Sequence, residues 1–156
     1  LYALYYIAQY KAYKKKGGTV MIIKLDTKSS TPIYVQLRNQ IVMGVGSGAL
    51  KVGDGLPTVR QMAEDIGVNT MTVNKTYAIL KQEGFIEIDR RHGAVVSPKA
   101  DITGEFREKV ESELELLIAE ASLKGLGREE FIQICKNAYE QMSGSKTQAT
   151  PAGGYT

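Results

Sequence analysis

TVRQMAEDIGVNTMTVNKTYAILKQEG, residues 58–84, reads as two short helices and the turn that joins them. Thr58-Val59-Arg60-Gln61 fits a capping box, in which the threonine hydroxyl accepts from the backbone N–H three residues on. Val59, Met62, Ala63 and Ile66 then fall on one helical face. Gly67 sits where a helix stops in the left-handed conformation. Val68 alone separates it from Asn69, a second capping residue. The next helix turns Met71 or Thr72, then Val73, Tyr77 and Leu80, inward, with Ala78 as a further candidate, and ends at Gly84. Helices over 58–66 and 70–83 with so short a connection have helix-turn-helix spacing, and the second helix of that motif enters a DNA major groove end-on.

The flanks extend the same unit. After it, residues 85–89 (FIEID) alternate like a strand, 90–93 (RRHG) form a bend, and 94–96 return, so a β-hairpin wing follows the second helix. Pro98 ends the unit. Before it, Ser30-Thr31-Pro32 opens a first helix with a capping residue and a proline in the first turn. Ile33, Leu37, Ile41 and Val45 recur at helical spacing, and Gly44, Gly46 and Gly48 weaken the far end. Residues 51–57 (KVGDGLP) are a loop.

Polar side chains gather at the start of the second helix: Asn69, Thr70, Thr72, Asn74 and Lys75. Amides and hydroxyls there can read base edges or hold phosphates, and the helix N-terminus adds backbone N–H donors. Arg90, Arg91 and His92 crown the wing. The same residues also have plainer roles as helix caps and a solvated turn, and winged helices also serve as protein–protein adaptors that bind no DNA. Salt dependence of duplex binding separates the two readings, because a DNA binder releases counterions.

Residues 101–142 read as a helical appendage. Phe106, Val110, Leu114, Leu117 and Ala121 make a coiled-coil-like seam. Residues 124–127 (KGLG) stop one helix and start another, on which Phe131, Ile134 or Cys135, Ala138 and Met142 make a second stripe. An antiparallel helical hairpin follows. Its two stripes are more apolar surface than two isolated helices can hide, so Phe106, Val110, Leu114, Leu117, Phe131 and Ile134 are the candidate homodimer interface; the alternative is that the hairpin packs on its own winged helix. From Ser143 onward the composition is that of a disordered tail.

Residues 1–20 hold five of the nine tyrosines and four lysines, with no acid. They read as an extension upstream of a start at Met21, a mis-set start or a cloning remnant, with a functional basic arm as the alternative. The positive charge follows the apolar part, the reverse of a signal peptide. Expected boundaries are therefore an extension over 1–20, a DNA-binding domain over 21–99, a dimerisation hairpin over 100–142 and a tail over 143–156.

Composition narrows the function. The net charge of +3 is spread unevenly, since residues 101–142 carry ten acids against five bases while 21–100 carry ten bases against seven acids. The middle can approach a polyanion that the end would repel. With one cysteine, Cys135, and one histidine, His92, neither an intrachain disulfide nor a Cys/His zinc site is available. P-loop, dinucleotide fingerprint and Cys–His pair are all missing, so no catalytic residue, metal or cofactor is expected. No apolar run approaches the ~20 residues that cross a bilayer, and a cytoplasmic setting is expected. About forty residues cannot easily enclose a ligand cavity of ~300 Å³, although a small effector can still bind between the hairpins of a dimer. Cys135 reads as core rather than sensor.

Residues 50–96 resemble the DNA-binding domain of GntR-type regulators, through Leu50, Gly53, Asp54, Leu56, Pro57, Thr58, Arg60, Ala63, Ile66, Gly67, Val68, Thr72, Val73, Leu80, Gly84, Phe85, Ile86 and Gly93. Thr31-Pro32-Ile33-Tyr34 with Gln36-Leu37, and the Thr-Val-x-Lys-x-Tyr of 72–77, are similar to the YtrA branch of that family. The resemblance implies a mainly α fold with a small β-hairpin: a winged helix-turn-helix followed by a two-helix C-terminal dimerisation hairpin. It implies DNA contacts at Arg60, at Thr72 and at the wing tip, His92-Gly93. It also implies a homodimeric repressor of a transporter operon, acting at a palindromic operator. Two departures bear on specificity. Thr70 and Asn74 stand where many members carry guanine-reading arginines; Asn74 favours adenine if it reaches a base, or touches phosphate only. Arg91 replaces the first glycine of the usual wing bend.

Overall fold

The computed structural model describes residues 10–14, 20–98 and 104–144. In chain order they form β1 (Tyr10–Lys14), β2 (Val20–Lys24), α1 (Ile33–Gly46), α2 (Val59–Ile66), α3 (Thr70–Gln82), β3 (Ile86–Asp89), β4 (Gly93–Val96), α4 (Gly104–Leu123) and α5 (Arg128–Gly144). The chain divides into two compact units, Leu1–Lys99 and Ala100–Thr156.

The first unit is three helices and a wing around one core. Leu37 and Ile41 of α1, Met62, Ala63 and Ile66 of α2, and Val73, Tyr77 and Leu80 of α3 are buried together with Ile86, Ala94 and Val96 of the wing. The local signals act as their chemistry requires. The Thr58 hydroxyl accepts from Gln61 N at 3.2 Å, while the Gln61 side chain donates to Asp65 at 2.6 Å, so only half of the capping box closes. Gly67 ends α2 at φ +67° and Asn69 caps α3, accepting from Met71 N at 2.8 Å. Thr58→Ala is expected to cost about 1 kcal/mol in a urea melt by leaving that N–H without its partner.

The start of α1 differs from expectation. Pro32 is its N-cap, with no capping side chain, and the Ser29 hydroxyl instead accepts from Thr31 N. The preceding backbone is held from within the helix. Gln36 Oε1 accepts from Asp26 N and its Nε2 donates to the carbonyls of Asp26 and Thr31, and one turn later Gln40 both accepts from and donates to the Lys24 backbone. Two glutamine amides thus serve the backbone leaving β2, and Ile23 and Leu25 beside them are buried in the core. β1 and β2 pair antiparallel, Tyr10 opposite Lys24 and Lys14 opposite Val20, so the expected boundary between residues 20 and 21 falls inside β2.

The loop before α2 is more ordered than its glycines suggest. Gly53 N donates to the Val96 carbonyl, Val96 N to Asp54 and Leu56 N to Ala94, each at 2.8–2.9 Å. Gly53 turns at φ +86°, a left-handed backbone that glycine adopts freely. The loop so becomes a third, irregular strand along β4 and ties the wing to the base of the helix-turn-helix.

In the second unit, α4 stops in the way a left-handed glycine cap dictates: Gly125 has φ +84° and Leu126 N reaches back to the Ala121 carbonyl at 2.9 Å. α5 runs to Gly144, past the expected end at 142; the rest of the expected tail lies outside the described residues. α4 and α5 are joined by this turn, and α4 has no buried residue. Between them lies a groove of about 720 Å³, lined by Leu114, Ile118 and Ala121 from α4 and by Phe131, Ile132 and Cys135 from α5. The groove is open to solvent and not an enclosed cavity. Cys135 is half-buried along it.

Candidate nucleic-acid interface

The core-facing residues of α3 decide which ones face outward. With Val73, Thr76, Tyr77 and Leu80 buried, helical geometry leaves Thr70, Met71, Asn74, Lys75 and Ala78 exposed. Tyr77 anchors this orientation, since its hydroxyl donates to the Pro57 carbonyl at 2.9 Å. Thr76, fully buried, is satisfied by donation to the carbonyls of Thr72 and Tyr34. The exposed first turns of α3 therefore present two hydroxyl- or amide-bearing side chains, an ammonium and one large apolar group.

The sequence-expected residues divide by position. Thr70, Asn74 and Lys75 lie on the open face of α3, and Arg60 is exposed in the first turn of α2. Asn69 is exposed but spends its side-chain oxygen on capping α3, so its amide nitrogen is the group that faces outward. Thr72 is half-buried and sits at the edge of the face. Arg91, His92 and Gly93 are exposed at the wing. Asn74 and Gly93 line one groove of about 510 Å³ between α3, the Pro57–Val59 segment and the wing, so the helix and the wing form a continuous concave surface.

Sequence reasoning missed four residues in or beside that surface. Met71 is 71% exposed, because α3 turns Val73 and Tyr77 inward; Ala78 is exposed for the same reason. Lys81 and Ile88 join Asn74 in lining the groove. The helical period alone placed Met71 on either face. Strand alternation puts Ile88 on the same face as the buried Ile86, so the period held no signal that Ile88 is exposed.

The wing bend is held by one carboxylate. Asp89 Oδ1 accepts from Arg91 N at 2.5 Å and His92 N at 3.0 Å, with His92 Nδ1 at 3.3 Å. The backbone N–H of Arg91, then that of His92, hold the Asp89 pKa below its ordinary 3.8. A depressed carboxylate stabilises the folded turn above its unfolded pKa, and that contribution disappears as pH falls through the folded value. Acidification below 3.8 is therefore expected to release the bend, seen as a common titration of the Arg91 and His92 amide resonances with a midpoint below that value. A midpoint at or above it would show that the bend does not hold the carboxylate.

Comparison with known proteins places this arrangement. The family model described as bacterial regulatory proteins, gntR family, matches residues 31–96. The chain is similar to the HTH-type transcriptional repressor YtrA of Bacillus subtilis, 35% identical over 128 residues, covering 80% of this chain and 98% of that protein. Among solved structures it resembles a transcriptional antiterminator from Listeria monocytogenes at TM-score 0.72 and 25% identity, over 80% of this chain and 94% of that one. It also resembles YtrA from Sulfolobus acidocaldarius, a GntR-family transcription factor, at TM-score 0.55 and 38% identity, over 62% of this chain and 97% of that one.

Proposed function

The chain belongs to the gntR family of bacterial regulatory proteins, as a DNA-binding transcription regulator, and from that premise we propose that it is a homodimeric repressor acting at a palindromic operator. The observation that carries this reading is the concave surface shared by α3 and the wing, with Thr70, Asn74 and Lys75 outward on a capped helix. α3 lies in the major groove and reads base edges from its first turns. Asn69, Thr70, Thr72, Asn74 and Lys75 contact bases and phosphates there; Arg60 reaches the backbone or a base from α2; Arg91, His92 and Gly93 follow the adjoining groove.

The second unit supplies the dimer. An open groove of about 720 Å³, bordered by leucine, isoleucine and phenylalanine side chains that α4 and α5 do not bury themselves, is covered by the same surface of a second copy. Phe106, Val110, Leu114, Leu117 and Ile134, all exposed, extend the contact. Two winged units then meet half-sites one helical turn, or a multiple of it, apart. A small-molecule effector between the paired hairpins would alter that spacing. Among the described residues no helix is long and apolar enough to cross a membrane, and the repressor is proposed to work in the cytoplasm. The B. subtilis relative bears the name of a repressor, which supports this sign of regulation; control of an adjacent transporter operon is proposed from the YtrA-like resemblance.

Titration of labelled duplex DNA against salt tests the reading. The logarithm of affinity should fall linearly with that of salt, by about 0.9 for each phosphate neutralised. A duplex selected from random sequence should contain two symmetric half-sites. Indifference to double-stranded DNA at low ionic strength would overturn the proposal.

A further inference from the structure

Lys75 does not extend freely from α3. Its Nζ lies 3.7 Å from the centroid of the Tyr34 ring, which belongs to the first turn of α1. Tyr34 is half-buried, whereas Lys75 is exposed, so the ring forms a seat and the ammonium remains open to solvent. The backbone beneath the ring is fastened to α3 as well, because the buried Thr76 hydroxyl donates to the Tyr34 carbonyl at 3.2 Å. One turn further along α1, Arg38 bonds Glu83 at 2.8 Å and lies 5.4 Å over the Phe85 ring. α1 is thus held to α3 at Lys75 and Thr76 and to its C-cap at Glu83, which fixes where the Tyr34 ring stands.

We propose that Tyr34 is a positioning residue of the DNA interface: its ring face holds the Lys75 ammonium in place for a phosphate. This rests on the regulator reading above. A lysine side chain has many rotamers, and ordering it on binding costs entropy. A cation over a ring face is attracted by the ring quadrupole, yet an ammonium has three donors and does not spend them all on one face. The ring therefore limits where the charge can go without neutralising it. The helix that enters no groove, α1, contributes in this way to the surface that does.

The test compares wild type, Tyr34→Phe, Tyr34→Leu, Lys75→Gln and the double variant Tyr34→Leu/Lys75→Gln. Each full chain is titrated by anisotropy, over a range of salt, with a labelled duplex that the wild type has selected from a random pool. Lys75→Gln should flatten the log–log salt slope by about 0.9 per protomer, the share of one phosphate. Tyr34→Leu, which keeps apolar bulk but loses the ring, should weaken binding by about two- to tenfold, the cost of ordering one rotamer-rich side chain on binding. Tyr34→Phe should restore the wild-type affinity, and Tyr34→Leu should add nothing once Lys75 is gone. The proposal is overturned if phenylalanine behaves like leucine, if the leucine effect persists in the Lys75→Gln background, or if Lys75→Gln leaves the slope unchanged. Wild type that binds no duplex would instead remove the regulator reading itself, a result distinct from each of these.

Discussion

Placing lysine at both Leu114 and Phe131 should convert the protein to monomers and lower operator affinity by about 10²–10⁴-fold, the avidity that a tethered second module contributes. Both side chains line the groove of the second unit, from opposite helices. α4 buries nothing and Leu114 remains 42% exposed, whereas Phe131 is half-buried, so an unchanged helical circular dichroism spectrum is required of the variant. The charge does have to be desolvated if a second copy covers the groove, and two symmetry-related copies bring it in twice. Sedimentation equilibrium reads the mass, and the same samples are titrated with duplex. Truncation after Pro98 should reproduce the monomer. If the doubly substituted protein sediments as a dimer, the groove is not the interface.

Arg60→Ala and Asn74→Ala should each weaken binding to the selected duplex by about 1–3 kcal/mol, with different signatures. Asn74 stands on the open face of α3, in the groove shared with the wing. Its amide matches the donor–acceptor pair of adenine in the major groove, so its loss should relax preference at one base pair per half-site and leave the salt slope unchanged. Arg60 is exposed in the first turn of α2, the helix that crosses the backbone in this motif. Its loss should flatten the salt slope, and any change in base preference would mark a base contact in addition. Selection from random duplexes with each variant measures both. Unchanged affinity in both variants would count against α3 as the reading element.

Much of the site was legible because its signals are short-range. A threonine or asparagine before a helix, and a glycine after one, act on backbone groups within three or four residues, and Thr58, Gly67 and Asn69 do in the structure what their types suggest. Wing and helices were legible for a related reason, since periods of 2 and 3.6 are local properties of the chain. The second unit was less so. Its stripe was read with Ile134 or Cys135, yet Phe131, Ile132 and Cys135 are the half-buried residues and Ile134 is 51% exposed. When neighbouring positions on a helix are all apolar, periodicity cannot choose among them; the direction of the partner surface chooses.

By itself the sequence determined the helix-turn-helix, the wing, the caps of α2 and α3 and the family, since each follows from residue types and spacings along a single stretch of chain. Tertiary structure alone decided that Met71 faces solvent, that the loop from Gly53 to Leu56 pairs with β4, that Gln36 and Gln40 hold the backbone after β2, and that Tyr34 lies under Lys75. Those contacts join residues 10 to 43 positions apart. Pairing at such separations depends on how closely packed side chains orient whole helices, and no local period encodes that orientation.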